Sequence, residues 1–159
     1  MARRVFVSEI EIEAPRTLVW DVLVDLASYP RWNPFTLEVR SSLEIGAPVD
    51  MKVRMLRAGG IVVSQREMLR ALEAPELIVW GMSMLGGGVR AERRQTLTEL
   101  DDRTTRYRTE DVIEGPLGAL VFATFGPSVQ AGFDEMARAL EGEVLRRLAS
   151  DATGDGARG

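Results

Sequence analysis

Cysteine and histidine are both missing from this 159-residue chain. Without cysteine there is no disulfide framework, no thiolate nucleophile and no sulfur ligand for a metal, a pattern that fits a reducing cytoplasm. Without histidine the usual imidazole metal ligand, the usual base at neutral pH and every Ser-His arrangement are gone. Basic charge is short as well: 20 Lys and Arg stand against 24 Asp and Glu, for a net charge of −4. The basic residues are mostly arginine and scattered, so the basic stripe expected of a nucleic-acid-binding protein is absent. Long apolar runs are also lacking. The most apolar stretch, Leu117 to Phe125, falls far below the ~20 residues a membrane-spanning helix needs. The opening Met1-Ala2-Arg3-Arg4, followed by alternating residues, has no continuous apolar core of the kind a signal peptide carries. The expectation is a cytoplasmic protein without stable membrane insertion and without a nucleic-acid partner.

No metal or nucleotide motif is present, so no cofactor is expected. Gly86-Gly87-Gly88 resembles a phosphate cradle only superficially, because the following Lys-Ser/Thr and helix of a P-loop are missing. The length suits one domain, placed at residues 1–150, with the small polar segment 151–159 expected to be disordered.

What is present is a run of alternating segments. Phe6, Ser8, Ile10 and Ile12 alternate with Val7, Glu9, Glu11 and Glu13, the period of two that marks a strand with one wet face. Ala14-Pro15 ends that strand and opens a helix, with Pro15 in its first turn. Leu18, Val19, Val22, Leu23 and Leu26 then recur at helical spacing. Ser28 to Pro34 reads as a short helical turn. Strands follow at Thr36–Leu43, with Leu37, Val39 and Ser41 on one side, and at Val49–Met55. Gly59-Gly60 leads by a hairpin into Ile61–Leu72, and Ala74-Pro75-Glu76 into Leu77–Met84. Val89–Leu100 and Thr104–Glu114 make a last hairpin. From Leu117 the chain is helical or lid-like up to Gly126-Pro127, where proline kinks or restarts the helix. Beyond it Val129, Phe133, Met136, Leu140, Val144 and Leu148 form one apolar stripe.

Several pieces carry a resemblance. They are Ile12-Glu13-Ala14-Pro15, Val19-Trp20-Asp21-Val22-Leu23, Tyr29-Pro30-Arg31-Trp32-Asn33-Pro34-Phe35, Leu77-Ile78-Val79-Trp80, Glu114-Gly115 and Gly132-Phe133-Asp134-Glu135-Met136. In this order the chain resembles the SRPBCC (START-like) superfamily, in particular its polyketide cyclase/dehydrase-type branch. The resemblance implies an α+β helix-grip fold: a curved seven-stranded antiparallel sheet around a long C-terminal helix, with two short helices between strands 1 and 2. It also implies an internal cavity for a small hydrophobic or amphipathic molecule. Related members often carry histidine where Arg93 aligns and an aromatic where Gln95 aligns, so this pocket is expected to be more polar than theirs.

The last hairpin can be threaded from alternation. If Leu100 pairs with Thr104, then Leu97 faces Tyr107, Gln95 faces Thr109, Arg93 faces Asp111 and Ala91 faces Ile113, all on one side. The apolar members direct that side inward, giving an Arg93–Asp111 pair on the concave face beside Gln95, Thr109 and Tyr107. Arg93 is suited to clamping a carboxylate or enolate-like oxygen, and Asp111 to positioning a hydroxyl or taking a proton. A structural ion pair, or a bulge that turns both groups to solvent, remains open as an alternative. Pairing across Ala74-Pro75 brings Leu69 opposite Trp80 and Glu67 near Met82, so Met51, Met55, Trp80, Met82 and Met84 form either ordinary core or an adaptable ligand wall. Glu67, if inward, is a second carboxylate. Trp32 and Asn33 are read as structural, and Trp20 as packing. Phe122, Phe125, Val129, Phe133 and Met136 lie where the family places the long helix over the cavity, Phe133 and Met136 being the best ligand contacts.

Three functions follow. The first is a carrier or sensor for a lipid-like or polyketide-like molecule. The second is an aromatase/cyclase-like enzyme using Arg93 with Asp111 or Tyr107. The third is an interaction module with an incidental cavity, and a homodimer stays open.

Overall fold

Alternation builds the sheet of this molecule. The computed structural model describes residues 3–155. Its elements are β1 (Arg4–Ile12), α1 (Arg16–Val24), a 3-10 turn at Leu26–Ser28, α2 (Tyr29–Trp32), β2 (Thr36–Arg40), β3 (Pro48–Met55), β4 (Ile61–Glu73), β5 (Leu77–Met84), a second 3-10 turn at Leu85–Gly87, β6 (Val89–Asp101), β7 (Thr104–Glu114) and α3 (Gly118–Asp155). All seven strands join one antiparallel sheet in the order β1-β7-β6-β5-β4-β3-β2. The sheet curls around α3, which packs chiefly against β1, with α1 and α2 closing the end between β1 and β2. This is the helix-grip fold.

The inward residues of β1 and β3, Phe6, Ile12, Val49, Met51, Val53 and Met55, are buried, whereas Glu9, Glu11, Lys52 and Arg54 are exposed. Exposed arginines and glutamates on the convex side pair across strands, as Arg106 and Arg108 do with Glu9. Such wet pairs contribute little to stability. The turn before β2 is held by Asn33, whose Oδ1 accepts from the Phe35 and Thr36 amides at 3.0 and 2.9 Å. Trp32 is half-buried and donates to Ser28 Oγ at 3.1 Å, and Trp20 is core.

Several boundaries differ from expectation. Pro15 caps α1 from outside rather than sitting in its first turn. β2 stops at Arg40, short of Leu43, whose φ of 57° is incompatible with a strand. A bulge between Thr36 and Glu38 puts Thr36 and Val39, not Leu37, on the buried side. The chain from Gly118 onward is one helix that runs through Pro127. Proline removes the bond to the Ala123 carbonyl, and both residues lie on the exposed side of the helix. Both halves of the helix are meanwhile tied to the same strand: Phe122 stacks on Phe6 at 4.8 Å, and Phe133 meets Phe6 edge-on at 6.4 Å. That packing holds the helix through the proline. The same helix continues over residues 151–155, where Thr153 Oγ1 donates back to the Ser150 carbonyl at 2.9 Å, so this part of the expected disordered tail is helical. Residues 156–159 of that tail lie outside the described residues. Among the described residues no helix is long and apolar enough to cross a membrane.

Candidate functional site

The hairpin of β6 and β7 sets the site. Its register places Arg93 directly opposite Asp111, Gln95 opposite Thr109, Leu97 opposite Tyr107 and Ala91 opposite Ile113. Only the tip departs from the expected pairing. Asp101, not Leu100, faces Thr104, because a bulge lies between Glu99 and Asp101. Leu69 faces Trp80 across β4 and β5.

Between the sheet and α3 lies a pocket of about 230 Å³. Met51, Val53, Met55, Met82 and Met84 line it from the sheet, and Val121, Phe125, Val129 and Phe133 from the helix. Arg93, Asp111, Glu67, Gln65 and Thr36 place polar atoms on the same wall. Neither Thr36 nor Gln65 stood out in the sequence. Gln65 was legible by strand parity with Glu67, but Thr36 reaches the wall only through the β2 bulge.

The charged groups do not form the expected ion pair. Arg93 is buried, at 5% exposure, and turns away from Asp111. Its Nε donates to Thr109 Oγ1 at 2.9 Å, its Nη2 approaches Tyr107 Oη at 3.5 Å and Met136 Sδ at 3.3 Å, and the guanidinium lies 4.3 Å from the Phe133 ring centroid. A planar cation can share an aromatic face and a hydroxyl at once, and this draws it towards the helix. Asp111 Oδ1 is left without a hydrogen-bond partner among the described residues. Burial pushes the Asp111 carboxyl up to about 6, the Arg93 charge opposing that rise. Glu67 goes further, to about 8, through burial first and then the negative charge of Asp111. Its Oε1 accepts from Gln65 Nε2 at 2.9 Å.

Five other expected ligand contacts stand behind the wall instead of on it. Trp80, Gln95, Tyr107, Thr109 and Met136 are all buried to 1% exposure or less and do not line the pocket. Tyr107 Oη donates to Gln95 Oε1 at 2.8 Å, and burial raises the phenol's proton affinity. Thr109, Tyr107, Met136 and Trp80 hold Arg93 in place, and Gln95 holds Tyr107. Inward parity is correct for them, but Arg93 and the helix occupy the space in front. Phe122 also lies off the wall, stacked on Phe6. Among the described residues no group of three or more acidic side chains is arranged to hold a metal.

Comparisons with known proteins agree with the fold. A family model described as polyketide cyclase/dehydrase and lipid transport matches residues 3–142. Among solved structures, the chain is similar to the Zhui aromatase/cyclase from a Streptomyces species at 19% identity. That match covers 92% of this chain and 96% of the other, with a TM-score of 0.76. A START superfamily protein from Mycobacterium smegmatis matches at 18% identity over 89% and 97% of the two chains, with a TM-score of 0.67. A conserved protein from Geobacillus kaustophilus matches at 14% identity over 90% and 96%, also at 0.67. At such identities the likeness speaks for the fold alone. None of the curated proteins matches the sequence.

Proposed function

The chain belongs to the polyketide cyclase/dehydrase and lipid transport family, and from that premise we propose that it binds a small amphipathic molecule between sheet and helix, as a carrier or sensor. The observation that carries this reading is an apolar pocket with its few polar groups gathered at Arg93, Asp111 and Glu67, the usual composition of a small-molecule site. Size narrows the guest. A cavity of roughly 150 Å³ takes benzene, so 230 Å³ suits a body of one or two rings. Charge narrows it further. A carboxylate guest would meet two acidic groups and an ammonium guest would meet Arg93, so a neutral head with a hydroxyl or carbonyl fits best.

A second reading, an aromatase/cyclase-like enzyme, is favoured by one observation. Two carboxyls with different proton affinities share a wall with a fixed cation, an arrangement suited to moving a proton while stabilising an enolate. In that case Arg93 holds the developing oxyanion and Asp111 takes the proton.

Native mass spectrometry of the purified protein should show a co-purified small molecule, and calorimetric titration should show saturable binding of 2-naphthol, a two-ring probe with one hydroxyl. Neither adduct nor binding heat would end both readings. A poly-β-ketone thioester turned over by the wild type but not by Arg93→Met/Asp111→Leu would select the enzyme.

A further inference from the structure

Beside the pocket lies an apolar surface that extends beyond its lining. Leu85 is 69% exposed and Leu120 66%, with Leu117 and Met84 also exposed. They form one patch. The Leu117 amide donates to the Gly88 carbonyl at 2.9 Å, the Gly88 amide to that of Leu85 at 3.1 Å, and the Leu120 amide to that of Leu117 at 3.2 Å. The patch is continuous with the site, because Met84 and Val121, next along the chain from Leu85 and Leu120, line the pocket. Leu85 has a φ of 53°, beside Gly86 and Gly87 at 62° and 90°. A non-glycine residue in this region is strained, and nothing in the fold rewards an exposed leucine there.

The rim is basic. Arg90 reaches the Gly87 carbonyl at 3.4 Å, and Arg4 lies 5.6 Å from the Phe122 ring centroid on the adjoining turn of α3. Arg3, Arg70 and Arg90 share a surface cleft with Glu92 and Glu114. With Arg4, four arginines therefore face two glutamates, on a chain whose net charge is −4. The first turn of α3 adds the positive end of a long helix with no acidic side chain to offset it.

We propose that this face docks on an anionic lipid bilayer, with Leu85 and Leu120 entering the headgroup boundary and the arginines meeting lipid phosphates beside the pocket opening. Projecting aliphatic tips within a basic rim match an interfacial membrane anchor. A protein interface draws its strongest contacts from tryptophan, tyrosine and arginine, with leucine under-represented, and the patch has no aromatic anchor among these four residues. Each arginine near such a surface contributes about 1 kcal/mol, or roughly fivefold in affinity.

The test is sedimentation of the full chain with vesicles of phosphatidylcholine, alone or mixed with phosphatidylglycerol. The wild type should pellet with the mixed vesicles and not with the neutral ones. High salt should release it. Leu85→Asp with Leu120→Asp should weaken binding by at least ~10-fold, and Arg90→Glu, a change of two charge units, by about 25-fold. None of the three residues lines the pocket, so thermal unfolding and 2-naphthol binding should stay as in the wild type, which separates this proposal from the proposed function. Wild-type protein that stays in the supernatant with the mixed vesicles, or pellets equally with neutral ones, would overturn it. So would an aspartate pair that binds undiminished.

Discussion

Arg93 shows how much of a site depends on depth. Strand parity correctly turns it inward, together with Gln95, Tyr107, Thr109 and Asp111. Parity carries no information about which inward residue meets open space and which is covered by another. The long guanidinium covers Tyr107 and Thr109 and leaves Asp111 bare, an outcome decided by Phe133 and Met136 from an element far away in sequence. The geometry also predicts that lysine cannot replace this arginine. A lysine would lose the Nε bond to Thr109 and the planar stacking on Phe133 while keeping the charge. Calorimetry with 2-naphthol should therefore give Arg93→Lys about the same loss as Arg93→Met, roughly 10-fold, equivalent to 1.4 kcal/mol. An Arg93→Lys variant with wild-type affinity would mean that charge alone matters at this position.

At the scale of elements, α3 and its landing on the sheet were only partly legible. The apolar stripe from Val129 to Leu148 marks a helix, but Pro127 reads as an interruption until Phe6 is seen gripping both sides of it. The bulges of β2 and β6 were invisible for a related reason: one extra residue leaves composition unchanged and shifts only what faces what. A close approach within the same helix is testable. A Cβ on Gly132 would run into the Phe35 ring, and Phe35 is fixed behind the Asn33 turn. A Cβ on Gly142 would meet nothing within 4 Å. Gly132→Ala should therefore destabilise the fold by about 1–3 kcal/mol through overpacking. Gly142→Ala should stabilise it by about 0.5–1 kcal/mol through helix propensity. Chemical denaturation measures both, and a stabilised Gly132→Ala protein would show that Phe35 yields freely.

Across the whole molecule, the buried carboxyls act on stability in opposite directions. Glu143 is buried on α3 beneath a clamp of arginines. Arg146 and Arg147 each bond it at 2.9–3.0 Å, and Arg31 of α2 approaches at 3.8 Å. The Arg146 hydrogen bonds above all, then that of Arg147, hold its carboxyl down at about 2. Its contribution is complete above its ordinary value of 4.5 and disappears as pH falls towards 2. Glu67 and Asp111 behave inversely. Folding raises their proton affinity, so the folded state is favoured while they are protonated. That advantage is lost as pH rises from 4.5 through about 8 for Glu67, and from 3.8 through about 6 for Asp111. The rising limb ends where the falling ones begin, between 3.8 and 4.5, so thermal stability should peak at pH ~4 and decline towards pH 8. Glu67→Gln removes the larger part of the alkaline limb and should exceed the wild type in melting temperature at pH 8. Glu143→Gln should fall below the wild type at neutral pH and converge with it near pH 2. A wild-type melting temperature that climbs steadily from pH 5 to 8, with Glu67→Gln running parallel, would mean that the pocket carboxyls stay hydrated and charged.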